Sequence, residues 1–119
     1  MNVKIYKYIN LDYMDMMSDG DESMKKIMLE MLLEELPQEI KKMTELLEQE
    51  NWEMLSSVSH KMKSTLAFVG NEEMTNANKQ IEEIAKSEPV SNSLKSLINE
   101  LERLCPMAIT ELKEEFSKL

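Results

Sequence analysis

Between Gly20 and Gly70 the chain has no glycine and one proline, Pro37, and all 119 residues hold only two glycines and three prolines. Short strands need a turn every few residues, and turns draw on glycine and proline. A chain so poor in both must run mostly as long helices. Its abundant Glu, Leu, Met and Lys are all good helix formers.

The apolar spacing agrees. In "DESMKKIMLEMLLEELPQEIKKMTELLEQEN" the apolar residues Met24, Ile27, Met28, Met31, Leu32, Leu36, Ile40, Met43 and Leu47 follow the three-and-four rhythm of one buried helical stripe. Asp21 can cap this helix. Pro37 removes a backbone donor and predicts a kink near Leu33 to Leu36, but the stripe keeps its phase, which favours one bent helix over two. Ahead of it, "NLDYMDMMSDG" reads as a short helix with Asn10 as N-cap and Gly20 as stop. Asn51 caps a helix from Trp52 to Val69, which Gly70 ends. Asn71 caps the next, "EEMTNANKQIEEIAK". "SEPVSNS" is a loop. The last helix is expected from Ser93 to Ser117, bent at Pro106, with the stripe Leu94, Leu97, Ile98, Leu101, Leu104, Cys105, Ala108, Leu112 and Phe116. The expected fold is all-α: an antiparallel four-helix bundle, up-down-up-down, with a short additional N-terminal helix. Residues 1–9 form a separate N-terminal segment, lying irregularly against a domain of residues 10–119.

A net charge of −9 argues against general nucleic-acid or acidic-membrane binding. No run of about 18 apolar residues is present to span a membrane, and "MNVKIYKYIN" lacks the apolar core of a signal peptide. The single Cys105 cannot form an internal disulfide and fits a reducing, cytoplasmic setting as a core residue on a helix face. The twelve methionines, recurring at helical spacing, read as flexible core filler. Met1 and a complete bundle favour a free-standing chain.

"SVSHKMKSTLAFVG", residues 57–70, holds the only histidine. At about 100° per residue, Leu55, Val58, Met62, Leu66 and Val69 share one arc, and His60 stands about 140° from its centre, on the solvent side. Ser56 and Ser57 lie one turn before it, Lys63 and Ser64 one turn after, and Ala67 two turns after. Small neighbours let another protein approach the ring, and a lysine at i+3 can meet an anion held there. A neutral imidazole can attack a phosphoryl group and hold it as a phosphoramidate, with an ammonium stabilising the new anion. No second His or Cys stands at i+4 to share a metal, so no metal site is expected. Without a metal, base or nucleotide pocket, His60 could accept a phosphoryl group but not take it from ATP alone.

These residues resemble the histidine-containing phosphotransfer (HPt) domains. That family's signature is a phospho-accepting His, an apolar residue at +2, Lys at +3, small residues from +4 and Gly at +10; here they are His60, Met62, Lys63, Ser64-Thr65 and Gly70. The resemblance covers roughly residues 10–118, with the last helix matched by pattern only. Ser64 departs from the usual Gly but is still small. The resemblance implies a phosphorelay carrier rather than an ATP-dependent kinase. His60 would take a phosphoryl group from the aspartate of one response-regulator receiver domain, such as that of a hybrid histidine kinase, and pass it to another. Lys63 would stabilise the phosphate. Ser56, Ser57, Lys61, Ser64, Ala67 and Gly70 would form the docking face. Gln80 or Glu82 on the next helix would approach the imidazole. The chain would need no cofactor of its own, because the receiver supplies Mg²⁺, and it would act as a monomer. Lys61 and Lys63 against only Glu53 give this helix a slightly basic face for an acidic partner pocket.

Two alternatives stand beside this. The dimerisation helix of a sensor histidine kinase has Ser-His followed by an acid and, later, a proline; Lys61 and Thr65 replace them here. A non-catalytic helical-bundle adaptor is the other. A small-molecule enzyme is disfavoured, since the chain has no Gly-rich phosphate loop, triad or paired histidines.

Overall fold

The computed structural model describes residues 5–119; the expectations for residues 1–4 lie outside the described residues. Among the described residues there are five α-helices and no strand: α1 (Asp12–Ser18), α2 (Glu22–Glu48), α3 (Trp52–Val69), α4 (Glu72–Lys86) and α5 (Ser91–Ser117). The four long helices close a ring of packed pairs, α2 on α3, α3 on α4, α4 on α5 and α5 on α2, while α1 lies against α2 and α3.

Side-chain caps set three of the helix starts. Asp21, Asn51 and Asn71 each accept a hydrogen bond from the backbone N–H three residues on, at Met24, Met54 and Met74. The fourth expected cap is different. Leu11, not Asn10, is the N-cap of α1, although the Asn10 carboxamide oxygen still accepts the Asp12 N–H at 2.9 Å. Asp19, not Gly20, closes α1 with φ 49°, and Gly20 follows at φ 79°. Asp is one of the few residues other than glycine that enters the left-handed region readily. Helix α5 begins at Ser91, two residues before its expected start, so the loop ahead of it is shorter than "SEPVSNS". Both α2 and α5 run unbroken through their internal prolines.

The core corrects the expected stripe of α2. Its buried residues are Leu29, Leu32, Leu36, Ile40, Met43 and Leu46, whereas Met24, Ile27 and Met31 are about half exposed. The first half of α2 carries apolar residues on two faces. The face starting at Leu29 supplies the buried residues, and Met28 and Leu33 pack only partly buried against it. The methionines divide accordingly. Met14, Met43, Met62 and Met74 are fully buried filler, but Met16, Met17, Met24, Met31, Met54 and Met107 are exposed, so the core-filler reading fails for these six. Of the stripe expected on α5, Leu94, Ile98, Leu101, Leu104, Cys105, Ala108 and Leu112 are buried, while Leu97 and Phe116 at its margins are only partly buried.

Residues 5–11 form neither helix nor strand and are tied to α5 and to the end of α3. Ile9 and Leu11 join the core. The backbone N–H groups of Lys7 and Tyr8 donate to the Glu111 carboxylate, and the Tyr6 hydroxyl donates to Glu115 at 2.6 Å. The Asn10 N–H donates to the Val69 carbonyl at 2.9 Å, which brings this segment against the end of α3. No helix among the described residues is long and apolar enough to cross a membrane.

Candidate functional site

Helices α3 and α4 pack in one fixed register, clipped by a buried polar pair. The Ser59 hydroxyl lies 2.8 Å from both the backbone and side-chain carbonyl oxygens of Asn78, and the Asn78 amide donates to the Ser59 carbonyl at 2.9 Å. Both side chains are buried, so their polar atoms must find partners here. One residue beyond Ser59 is His60. One helical turn beyond Asn78 is Glu82, so the clip brings these two side chains together.

The imidazole of His60 is 66% exposed, and its Nδ1 lies 2.8 Å from Oε2 of Glu82, whose carboxylate is only 6% exposed. Lys63 places its ammonium 2.8 Å from Oε1 of the same carboxylate. Lys86, one turn along α4, lies 2.8 Å from Oε2. Hydrogen bonds from Lys63 and Lys86 pull the Glu82 carboxyl down to about 2 against its burial, which alone would raise it, and His60 adds to the effect. At neutral pH Glu82 is therefore an anion that can only accept. The ring nitrogen facing it must carry the proton. Neutral His60 is thus held as the Nδ1–H tautomer, with the lone pair of Nε2 directed away from Glu82.

Of the expected contacts on α4, Glu82 fills the place and Gln80 does not. Two residues are about 200° of helical turn, so Gln80 lies on the far side of α4 and is exposed. Of the residues expected to line a docking face, Ser57, Lys61, Ser64 and Ala67 are exposed beside His60. Ser56 is a correction: it is only 7% exposed. Helix α3 packs on α2 as well as α4, so its buried arc is wider than its apolar stripe and takes in Ser56 on the α4 side. Gly70 is half-buried and has a structural task. It caps α3 at φ 71°, and a Cβ there would stand 2.1 Å from the Asn10 carbonyl oxygen.

Two features lay beyond the sequence reading. Lys86 stands at i+4 from Glu82, a spacing visible in the sequence, but nothing there says that Glu82 faces His60 and not solvent. Two methionines of α2 border the same surface: the partly buried Met28 and the exposed Met31 line a cavity of about 300 Å³ with Ser64 and Phe68 of α3. Beneath it, the Thr65 hydroxyl donates to Glu39 at 3.2 Å. Among the described residues no cluster of three His, Cys, Asp or Glu side chains could hold a metal ion.

The model of the Hpt domain matches residues 27–117. This chain belongs to the Hpt domain family. That assignment accounts for the helical architecture and carries with it the family's general role, histidine phosphotransfer in phosphorelays with receiver domains. The match begins inside α2, so α1 and the irregular N-terminal segment lie outside it. Searches of curated proteins and of solved structures returned no match.

Proposed function

We propose that this Hpt domain shuttles a phosphoryl group between receiver-domain aspartates through Nε2 of His60. The observation that carries the reading is the contact of Nδ1 with the buried, ionised Glu82, which leaves Nε2 as the free nucleophile on an exposed ring. The Nε2 lone pair attacks the phosphorus of an aspartyl phosphate. An N–P bond forms, the acyl P–O bond breaks, and the electron pair returns to the departing aspartate carboxylate. The ring becomes positively charged as it attacks, and Glu82 faces that charge across the Nδ1–H bond. Lys63, three residues along the same helix, can turn to the phosphoryl oxygens. Return transfer is the reverse displacement. The acidic pocket and Mg²⁺ belong to the receiver, so this chain needs only the nucleophile, its orienting carboxylate, a cation and a surface.

Ser57, Lys61, Ser64 and Ala67 provide that surface, together with the apolar border at Met28 and Met31. A monomeric, cytoplasmic, up-down-up-down bundle is the setting we infer, since the short connections favour antiparallel neighbours. The test is transfer from an aspartyl-phosphorylated receiver domain to wild type and to His60→Gln. Wild type should take an acid-labile, base-stable label and His60→Gln none. The variant should keep its stability within about 1 kcal/mol, because an exposed side chain packs little. Label on both proteins, or on neither with several receivers, would reject His60 as the carrier and leave a binding-only bundle.

A further inference from the structure

The two oxygens of Glu82 are not used alike. Among the described residues Oε1 is met by Lys63 alone, while Oε2 is shared by Nδ1 of His60 and by Lys86, each at 2.8 Å. The oxygen that orients the imidazole therefore has its own cation, on a different helix from the nucleophile. Both lysine side chains are more than half exposed, while the carboxylate between them is only 6% exposed in the α3–α4 interface.

This asymmetry matters once a phosphoryl group arrives. Lys63 cannot give its full charge to the phosphoryl oxygens while it is bonded to Glu82. If it leaves, a carboxylate only 6% exposed loses a partner, and an under-paired buried charge is unfavourable. With Lys86 on Oε2, the departure empties Oε1 only and leaves the contact between Oε2 and the ring in place. We propose that Lys86 is a positioning residue that keeps Glu82 paired, and so keeps His60 oriented, while Lys63 exchanges the carboxylate for the phosphoryl group. The exchange rests on the phosphotransfer reading above and adds a residue to it. No further co-reactant is needed: Lys63 trades one anionic partner for another, and no proton changes hands.

The experiment measures the rate of His60 phosphorylation by potassium phosphoramidate, a small donor that needs no receiver. Four proteins are compared: wild type, Lys86→Met, Glu82→Gln and the double variant. The ¹⁵N spectrum of the unphosphorylated His60 ring is recorded for each. In the wild-type background Lys86→Met should slow the reaction about fivefold, the range of one partly exposed ion pair. In the Glu82→Gln background, where there is no carboxylate to keep paired, the same substitution should change the rate less than about twofold. The resting ring of Lys86→Met should remain the Nδ1–H tautomer, because Lys63 still holds Glu82 before reaction. Equal slowing in both backgrounds would overturn the proposal and make Lys86 only a nearby positive charge. A changed resting tautomer would also overturn it, because Lys86 would then be holding the ground state. A wild-type protein that gains no phosphohistidine would overturn the phosphotransfer reading itself, a failure distinct from either of these.

Discussion

At the scale of single residues, the site depends on one buried carboxylate with three nitrogen partners, and acid is the simplest way to disturb it. The Glu82 carboxyl is held at about 2 in the folded protein, below its ordinary 4.5. A group whose folded pKa is depressed stabilises the fold above its unfolded value and loses that contribution as pH falls toward its folded value. The stability difference between wild type and Glu82→Gln should therefore be constant above about pH 5 and shift against wild type by roughly 1–2 kcal/mol between about pH 5 and pH 2, discounted because both lysine partners are half exposed. Denaturant unfolding at a series of pH values reads this directly, and a pH-independent difference would contradict it. The outward angle of His60 was legible in the sequence, because a helical wheel needs only the apolar stripe of its own helix. The choice between Gln80 and Glu82 was not. It depends on how α4 is rotated against α3, and that is set by the Ser59–Asn78 clip, a contact between residues nineteen apart.

At the scale of elements, caps were the most legible feature and stripes less so. Asp21, Asn51, Asn71 and Gly70 act locally, so sequence alone identifies them. The buried face of α2 is decided by which neighbours it meets, and a helix with apolar residues on two faces leaves that open. The two glycines separate local from tertiary demands in the same way. Both have positive φ, but Gly20 has open space where a Cβ would stand, while Gly70 has the Asn10 carbonyl there. Gly20→Ala should destabilise by about 1 kcal/mol, the backbone preference alone. Gly70→Ala should destabilise by more than about 2 kcal/mol, since the N-terminal segment must also be displaced. Thermal unfolding of the two variants side by side decides this. Equal losses would mean that Asn10 does not press on α3. A sequence pattern shows Gly70 only as a member of a motif, whereas its neighbour across space explains why it must be glycine.

At the scale of the whole molecule, the family match and the described fold differ in extent. The match covers residues 27–117, yet residues 5–11 add Ile9 and Leu11 to the core and bond to Glu111 and Glu115 on α5. The Glu115 carboxyl sits below its usual range: burial would raise it, but hydrogen bonds from Tyr6 and Lys25 outweigh that. Tyr6→Phe should cost about 1–2 kcal/mol of stability by removing a hydrogen bond to a charged acceptor. It should leave phosphorylation of His60 unchanged, since the segment meets α3 at Val69, nine residues and about 14 Å of helix from His60. Loss of phosphorylation in that variant would show that the segment supports the site and not only the fold. No sequence pattern marked these contacts, because an irregular segment carries no periodicity from which burial can be read.

The most direct test of the account is the atom to which phosphorus becomes attached. After phosphorylation of ¹⁵N-histidine-labelled protein, ³¹P and ¹⁵N spectra distinguish the two ring nitrogens. With Glu82 holding Nδ1–H, the phosphoryl group should be found on Nε2 of His60 alone. Attachment at Nδ1, or at no histidine nitrogen, would contradict it.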